Sequence, residues 1–236
     1  MSLQVARLIG GAGTGKTTEL MNVMEKQLDR LHDPHILGFF SFTRAARREA
    51  SHRAAARFNL NPKELEGQGW FRTLHSVAYR CLGVGKELLA DNKESRQWIE
   101  NALQERLDGS PASADAEDSE YLDPFADADS DAAKALQVWA TACNRLEPLK
   151  VAWRRAWESD SEIPPLSRCR QIIERYEQAK RLDHRVDFTD LLAMFAGYRL
   201  TSDGPERCEP DGEPPQQIEA WLLDEQQDAS PLLHAV

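Results

Sequence analysis

The segment from Gly10 to Thr17 (GGAGTGKT) constrains the possible folds of this chain more than any other part of the sequence. It matches the pattern G-x-x-x-x-G-K-[ST] of a phosphate-binding loop. Glycines let the backbone approach a polyphosphate closely and adopt the positive φ angles that point several N–H groups at one anion. In such a loop the ammonium of Lys16 contacts the β- and γ-phosphates, and the Thr17 hydroxyl ligates Mg²⁺.

The residues around this loop predict the strand–loop–helix order that phosphate binding requires. Leu3 to Ile9 predicts a short buried strand, and Thr17 to Leu31 predicts a helix with one apolar face. This order places a phosphate at the N-terminus of a helix. A glycine-rich turn without a ligand is the alternative interpretation. The candidate nucleotide-binding residues of the loop are Gly10, Gly11, Ala12, Gly13, Thr14, Gly15, Lys16, Thr17 and Thr18.

An acidic pair near the other end of the chain fits the second half of a nucleotide site. Ile218 to Leu223 predicts a buried strand, which is followed by Asp224 and Glu225. Asp224 is predicted to hold Mg²⁺, and Glu225 to polarise the attacking water as general base. A helix cap or a turn is the alternative for such a pair. The long separation from Lys16 favours an ATPase with an inserted domain over a compact small-molecule kinase.

Predicted strands lie near both ends of the chain, and predicted helices fill the part between them. Other predicted elements include strands at 35–42 and 70–73, one helix at 132–158, and loops at 59–69 and 201–215. The sequence therefore predicts an α/β nucleotide-binding domain, interrupted by a helical insertion. The predicted domains are 1–85 with 187–236 for nucleotide binding and 86–186 for the insertion, which contains an acidic loop at about 108–131.

The charge of the chain is unevenly distributed. The 236 residues carry a formal net charge of −10, which by itself argues against a nucleic-acid partner. Nine acidic residues and no lysine or arginine lie between Asp108 and Asp131, so the acidity is concentrated there. A basic segment near the phosphate-binding loop contains Arg44, Arg47, Arg48, Arg53 and Arg57. This segment is a candidate for phosphate-backbone contact, and a solvated helix face is the alternative.

Cysteine content and hydropathy predict a cytoplasmic protein. The four cysteines are scattered and form no C-x-x-C pair, which favours reduced thiols over a zinc site. The sequence contains no signal peptide and no apolar run near 18 residues, so no membrane association is expected.

Tryptophans and basic residues in the predicted insertion have two interpretations each. Trp139, Trp153 and Trp157 would stack on bases or pack in a core, and the i,i+4 spacing of the last two favours the core. Nearby acidic residues favour solvated helix faces over nucleic-acid contact for the basic residues. These basic residues are Lys150, Arg154, Arg155, Arg168, Arg170, Arg175, Lys180 and Arg181.

Five segments in a fixed order resemble motifs of the UvrD/Rep-type superfamily 1 DNA helicases. The Gly10–Thr17 loop resembles motif I of that family. The other four are FSFTRAA at 40–46 (motif Ia), TLHS at 73–76 (motif Ib), DFTDLL at 187–192 (the segment before motif II) and LDEQQD at 223–228 (motif II). The resemblance covers the whole chain except the helical block, where this family inserts its subdomain 1B.

The resemblance implies a RecA-like P-loop domain with a parallel sheet that binds ATP and Mg²⁺ and forms part of a single-stranded DNA track. Lys16, Glu225 and Gln227 would take part in hydrolysis, with Gln227 sensing the γ-phosphate, while Thr17 and Asp224 would hold the metal. The implied DNA-binding residues are Thr43, Arg44, Arg47, Thr73 and His75. The family's adenine-reading glutamine lies well upstream of the loop, and we expect no counterpart of it in this sequence, since Gln4 lies inside the predicted first strand.

The resemblance also implies that the chain is the N-terminal portion of a longer, monomeric helicase that acts at a single-/double-strand junction. A second RecA-like domain with trans-acting arginines would then be needed, and this chain alone would be weakly active or inactive. Two other functions remain open: a P-loop kinase with a helical lid, and a non-catalytic nucleotide-binding module. The complete set of Lys16, Thr17, Asp224 and Glu225 argues against a decayed site.

Overall fold

A computed structural model describes residues 5–11, 13–41, 44–90, 93–107, 129–201, 203–224 and 229–236. The chain forms two compact units, Met1–Thr73 with Pro215–Gln226 and Leu74–Pro214 with Gln227–Val236. These divisions differ from the predicted subdomain boundaries after residues 85 and 186, which stay a prediction.

The helices, in chain order, are α1 (Lys16–Leu31), α2 (Arg44–Phe58), α3 (Pro62–Gln68), α4 (Leu74–Leu82), α5 (Lys93–Leu103), α6 (Asp131–Asn144), α7 (Leu149–Ser159), α8 (Leu166–Leu182), α9 (Phe188–Ala196) and α10 (Pro231–Ala235). The strands are β1 (Leu37–Phe40), β2 (Trp70–Arg72), β3 (Tyr198–Thr201), β4 (Gly204–Arg207) and β5 (Ala220–Leu223), and short 3-10 helices form at Pro34–Ile36 and Lys86–Leu88.

The first unit is built on a parallel sheet in the order β2–β1–β5. Phe39 of β1 lies opposite Phe71 of β2 and Leu222 of β5, and all three side chains are buried in one core. Met24 and Leu28 of α1 complete that core from the helix side. The mixed α/β fold with a parallel sheet is therefore as predicted.

The other face of the same sheet is packed less completely. Side chains alternate between the faces of a strand, so Phe40 and Trp221 share the face opposite Phe39. Their ring centroids lie 5.1 Å apart, and Trp221 remains 44 % exposed. Gly38 makes room for this packing, because a Cβ atom there would lie 2.7 Å from the Phe40 ring.

The strand predicted at Leu3–Ile9 is not formed in its described part. Residues 5–9 have no regular secondary structure, and Val5 and Ile9 are 72 % and 93 % exposed. An apolar parallel strand is stable when neighbouring strands bond its edges and other elements cover its faces. Among the described residues β5 pairs only with β1, so residues 5–9 pair with no described strand.

Two predicted loops contain regular structure. Within 59–69, α3 begins after Asn61, whose side chain accepts a hydrogen bond from the Lys63 N–H, and it buries Leu65. Within 201–215, β4 pairs antiparallel with β3, with Thr201 opposite Gly204. The loop predictions were wrong for these elements, because turn-forming residues here cap or connect short elements rather than replace them. Residues 208–215 form no helix or strand, as predicted.

The second unit is mostly helical, and its main core lies among α5, α6, α7 and α8. The single helix predicted at 132–158 is divided into α6 and α7. Leu146 adopts a positive φ of 51°, and Pro148 precedes the first residue of α7. Proline disfavours helical geometry in the residue before it, which explains the break. A second cluster joins α4, α9 and α10 through Ala78, Leu192 and Leu232.

Candidate nucleotide site and nucleic-acid contacts

The glycine-rich loop leads directly into α1. Gly13 and Gly15 have φ angles of +72° and +83°, which is the left-handed region that side chains disfavour. Gly15 is the N-cap residue of α1, and no side chain caps this end of the helix. The first N–H groups of a helix have no partner within the helix, so they can serve as donors to an anion. The local geometry therefore fits the predicted phosphate-binding loop.

Side chains within the loop hold its shape. The Thr14 hydroxyl donates to the Gly11 carbonyl at 2.8 Å, and the Lys16 ammonium donates to the same oxygen at 2.9 Å. A Cβ atom on Gly10 would lie 2.5 Å from the Thr14 hydroxyl oxygen, so a larger residue there would displace the Thr14 side chain. The Lys16 ammonium thus stays at the loop without an ion pair to any described carboxylate.

Three polar residues follow the three parallel strands at their carboxyl ends. Ser41 follows β1, Thr73 follows β2 and Asp224 follows β5. All three are buried, with exposed fractions of 2 %, 2 % and 6 %. The Asp224 N–H donates to the Phe40 carbonyl at 2.8 Å, which continues the β1–β5 pairing by one residue. Ligands of parallel α/β sheets bind at this edge, so the position of Asp224 fits its predicted role.

The donor set fits a magnesium nucleotide. The N-terminus of α1 and Lys16 supply positive potential, while the Thr17 hydroxyl and the Asp224 carboxylate are the hard oxygen ligands that Mg²⁺ prefers. α1 packs against both β1 and β5 in the first unit. Ala12, Thr43, Glu225 and Gln227 lie outside the described residues, so their predicted roles stay predictions.

The arginines of α2 are mostly paired with carboxylates. Arg53 contacts Glu49 at 2.6 Å, and Arg57 pairs with Asp29. A nitrogen of Arg47 lies 4.0 Å from a carboxylate oxygen of Glu66, and its side chain is only 15 % exposed. Arg48 is exposed and makes no ion pair with a described residue. The helix therefore presents less free positive charge than its sequence suggests.

The two other predicted DNA contacts lie in different units. Thr73 belongs to the first unit and is buried, whereas His75 belongs to the second unit and is partly buried. The His75 and Phe188 rings are nearly perpendicular, with centroids 5.6 Å apart. Burial lowers the pKa of His75 to about 4, so the ring is neutral at physiological pH. A hydrogen bond rather than an ionic contact is the interaction that His75 can offer a nucleic acid.

A buried ionic network in the second unit was not predicted. Lys180 is only 3 % exposed, and its ammonium lies 2.8 Å from Glu177, 2.9 Å from Asp187 and 2.8 Å from Asp190. The Tyr176 hydroxyl donates to Asp187 at 3.0 Å. The prediction of a solvated face for Lys180 was therefore wrong. Its signal was the DFTDLL segment, since Asp187 and Asp190 form a capping box at the start of α9.

The network holds its lysine charged. Burial opposes ionisation, but the three carboxylates raise the pKa of Lys180 well above its usual value. Burial and the nearby charge of Asp187 raise the pKa of Asp190 to about 7. Glu177, Asp187 and Asp190 lie close enough together to hold a metal ion, but the Lys180 ammonium already contacts all three carboxylates. The cluster is therefore a structural ion-pair network of α8 and α9.

The tryptophans of the helical unit divide into two kinds. Trp139 is 3 % exposed and Trp153 packs against the main core, as predicted. Trp157 is 41 % exposed, so its predicted burial was wrong. The i,i+4 spacing places Trp157 beside Trp153 on α7, but the core reaches only the first of the two rings.

A glycine-rich loop before a helix, a parallel sheet and a buried aspartate at the sheet edge define a P-loop α/β protein. The model of the UvrD/REP helicase N-terminal domain family matches residues 2–235, and the chain belongs to this family. The family gives it a helicase role with ATP and DNA binding in general. No curated protein sequence matches the chain significantly. Within the described residues, every helix is too short or too polar to cross a membrane.

Proposed function

We propose that this chain binds ATP and Mg²⁺ through the glycine-rich loop and single-stranded DNA through the motifs that follow it, as the ATP-binding part of a DNA helicase. The observation that carries the proposal is the loop geometry. Gly13 and Gly15 adopt the left-handed backbone that a phosphate nest needs, directly before an uncapped helix N-terminus. A turn without a ligand has no need of this combination.

The roles of the individual residues follow from their chemistry. Lys16 would neutralise the phosphates, and Thr17 and Asp224 would hold Mg²⁺, with Thr18 adding a backbone donor in the first turn of α1. Bound ATP supplies the phosphoanhydride bond whose hydrolysis releases the energy for translocation. Glu225 would take a proton from the attacking water, and Gln227 would sense the γ-phosphate.

The DNA contacts combine hydrogen-bonding and basic residues. We propose Thr43, Arg44, Arg47, Thr73 and His75 as this set. Arg48, which is exposed and unpaired among the described residues, supports a contact from α2. Since most arginines of α2 already pair with carboxylates, we expect few phosphate contacts and a shallow dependence of affinity on salt.

Rapid hydrolysis would need a second RecA-like domain. The family is described as an N-terminal domain, which supports a further domain as the source of trans-acting arginines. An arginine finger is worth on the order of 10³–10⁵ in the rate of phosphoryl transfer. We therefore propose that residues 1–236 alone bind ATP but hydrolyse it slowly and unwind nothing. DNA-stimulated turnover by this chain, abolished by Glu225→Gln, would contradict that part of the proposal.

Calorimetry with ATP, with and without Mg²⁺, tests the nucleotide site. Lys16→Ala removes a charge-assisted contact worth roughly 1.5–3 kcal/mol, so ATP affinity should fall at least tenfold. Lys26→Ala is a matched control, because Lys26 is exposed on the same helix and makes no described ion pair. Equal ATP binding by wild type and Lys16→Ala would refute the site.

Fluorescence anisotropy with a labelled oligonucleotide at low salt tests DNA binding by α2. Arg47→Ala with Arg48→Ala should weaken binding and reduce its salt dependence. Arg53→Ala with Arg57→Ala removes two arginines of the same helix that are paired with carboxylates, and it should have a smaller effect.

If phosphate is instead transferred from ATP to a small acceptor without DNA, the kinase alternative replaces the helicase.

A further inference from the structure

Helix α7 carries an exposed indole that is supported by a buried one. The ring centroids of Trp157 and Trp153 lie 5.5 Å apart, with the planes inclined by 30°. Trp153 is fixed by the main core and by a hydrogen bond of 2.9 Å from its indole N–H to the Pro164 carbonyl. The indole N–H of Trp157 has no hydrogen-bond partner in the part of the chain that the structure describes. The Trp157 ring is therefore held from one side while 41 % of the residue remains exposed.

Two cations lie on the same stripe of the helix. Lys150 and Arg154 precede Trp157 by seven and three residues, which places all three on one face of α7 over about 10 Å of helix length. Both cations are exposed, and neither forms an ion pair with a described residue. We name Lys150, Arg154 and Trp157 the α7 surface.

Carboxylates near the α7 surface are largely neutralised by other partners. Glu147 receives two hydrogen bonds from Arg155, at 2.7 and 2.9 Å. Asp160 lies 3.7 Å from the Lys134 ammonium. Glu158 follows Trp157 in the sequence, is exposed and forms no ion pair with a described residue. Lys150 and Arg154 thus place two positive charges on this face beside the single charge of Glu158, although the whole chain carries −10.

We propose that the α7 surface binds single-stranded nucleic acid, with one unpaired base stacked on Trp157 and neighbouring phosphates on Lys150 and Arg154. An open aromatic face beside free cations is the combination that binds single strands without sequence preference. A base inside a duplex is already covered by its neighbours, and an acidic peptide would need the cations but not the ring. The inference rests on the nucleic-acid binding proposed above and adds a contact in the helical unit.

Photocrosslinking locates the contact directly. Residues 1–236 are irradiated with an oligothymidylate that carries one 5-iododeoxyuridine, and the tryptic peptides are analysed by mass spectrometry. Cleavage after Arg155 and Arg168 gives the peptide 156–168, in which Trp157 is the only aromatic residue. We expect an adduct on this peptide with the single strand and none with the same strand in a blunt duplex. Absence of the adduct would overturn the proposal.

Binding variants measure how much the contact contributes. Stacking of one base on an aromatic ring is worth roughly a fivefold to hundredfold change in affinity, so Trp157→Ala should weaken single-strand binding within that range. Trp157→Phe should keep most of the affinity, which separates stacking from a folding defect. Lys150→Ala with Arg154→Ala should lower the slope of log affinity against log salt by about 1.4. Lys26→Ala with Lys63→Ala removes the same charge from other exposed positions and should leave the slope nearly unchanged.

The outcomes separate this inference from the proposed function. If Trp157→Ala binds like wild type while Arg47→Ala with Arg48→Ala loses binding, the proposed DNA contact of α2 stands and the α7 surface is refuted. If the wild-type chain binds no oligonucleotide, both proposals fail. Equal loss of duplex binding in Trp157→Ala would overturn base stacking, and equal competition by polyglutamate would indicate an acidic protein partner instead.

Discussion

Lys16 and Lys180 show two opposite uses of the same side chain. Lys16 lies at a glycine-rich loop, where its ammonium bonds one backbone carbonyl and no described carboxylate. Lys180 is buried, and its ammonium contacts three carboxylates at 2.8–2.9 Å. The charge of Lys16 is available for a ligand, whereas the charge of Lys180 forms the ion pairs that join α8 and α9. A cation is thus a better candidate for binding when its partners are few and weak.

Replacing Lys180 should give the largest change in stability. Lys180→Met leaves Glu177, Asp187 and Asp190 together without a cation, and removing one partner of a buried ion pair costs about 3–5 kcal/mol. The free energy of unfolding, from urea titration followed by circular dichroism, measures this loss. Lys26→Met, at an exposed position, should change it by less than about 0.5 kcal/mol. A loss below about 1 kcal/mol for Lys180→Met would mean that the network is replaceable and the comparison is false.

Replacing Lys16 should affect ligand-dependent stability and leave the intrinsic stability almost unchanged. A ligand present at 100 times its Kd stabilises a protein by about 2.7 kcal/mol, and a tenfold weaker affinity halves that gain to about 1.4 kcal/mol. We expect this difference between wild type and Lys16→Ala in urea titrations with Mg²⁺ and ATP. A large loss without nucleotide would show that Lys16 is structural, like Lys180.

The left-handed glycine at the start of α1 should contribute on a similar scale. Gly15→Ala places a Cβ atom in open space but forces alanine to a φ of +83°, which costs about 1–2 kcal/mol. Gly67→Ala is the matched control, since Gly67 lies within α3, has no close neighbour for a Cβ atom and has no positive φ. That change should stabilise the protein by about 0.5–1 kcal/mol. Equal effects of the two substitutions on unfolding would argue against the loop geometry.

The pH dependence of unfolding should report the buried carboxyl of the network. The pKa of Asp190 is raised to about 7, so the folded state holds the proton more tightly than the unfolded state does. Its contribution to stability is present below about pH 4 and is lost as the pH rises through 7. We expect Asp190→Asn to flatten the fall in stability between about pH 4 and 7, by less than about 1.4 kcal/mol per pH unit.

The pKa of a second group, His75, is shifted in the opposite direction, so its effect on stability has the opposite pH dependence and serves as the control for that measurement. The pKa of His75 is lowered to about 4, so its contribution is present above about pH 6.5 and is lost as the pH falls through 4. His75→Gln should therefore remove a loss of stability at acidic pH and leave the range above pH 7 unchanged. If the dependence of stability on pH is the same in Asp190→Asn as in the wild type, the buried network titrates outside the range from about pH 4 to 7.

Local patterns in the sequence predicted the elements that depend on neighbouring residues. α1 runs from Lys16 to Leu31, one residue longer than predicted, and β5 falls inside the predicted strand at 218–223. The break before α7 also has a local signal in the sequence, Pro148, because proline disfavours helical geometry in the residue before it. Apolar periodicity and turn chemistry act over a few residues, so they can be recognised without the fold.

Side-chain exposure was predicted less well, because it depends on which elements pack together. Trp153 and Trp157 have the same helical spacing, yet only Trp153 reaches the core. Lys180 is one of several basic residues on α8 with similar neighbours in the sequence. Packing of α8 against the capping box of α9 buries the Lys180 side chain beside three carboxylates. Arg53 and Arg57 are likewise adjacent to carboxylates of α1 that are distant in sequence.

The sequence by itself determined the phosphate-binding loop, the helix that follows it and the family to which the chain belongs, because these depend on a contiguous motif with fixed backbone requirements. Only the tertiary structure decided which charges are free and which aromatic rings are open. Packing between separate elements sets those properties: Asp29 of α1 pairs with Arg57 of α2, Asp190 of α9 contacts Lys180 of α8, and the core that holds Trp153 leaves Trp157 exposed.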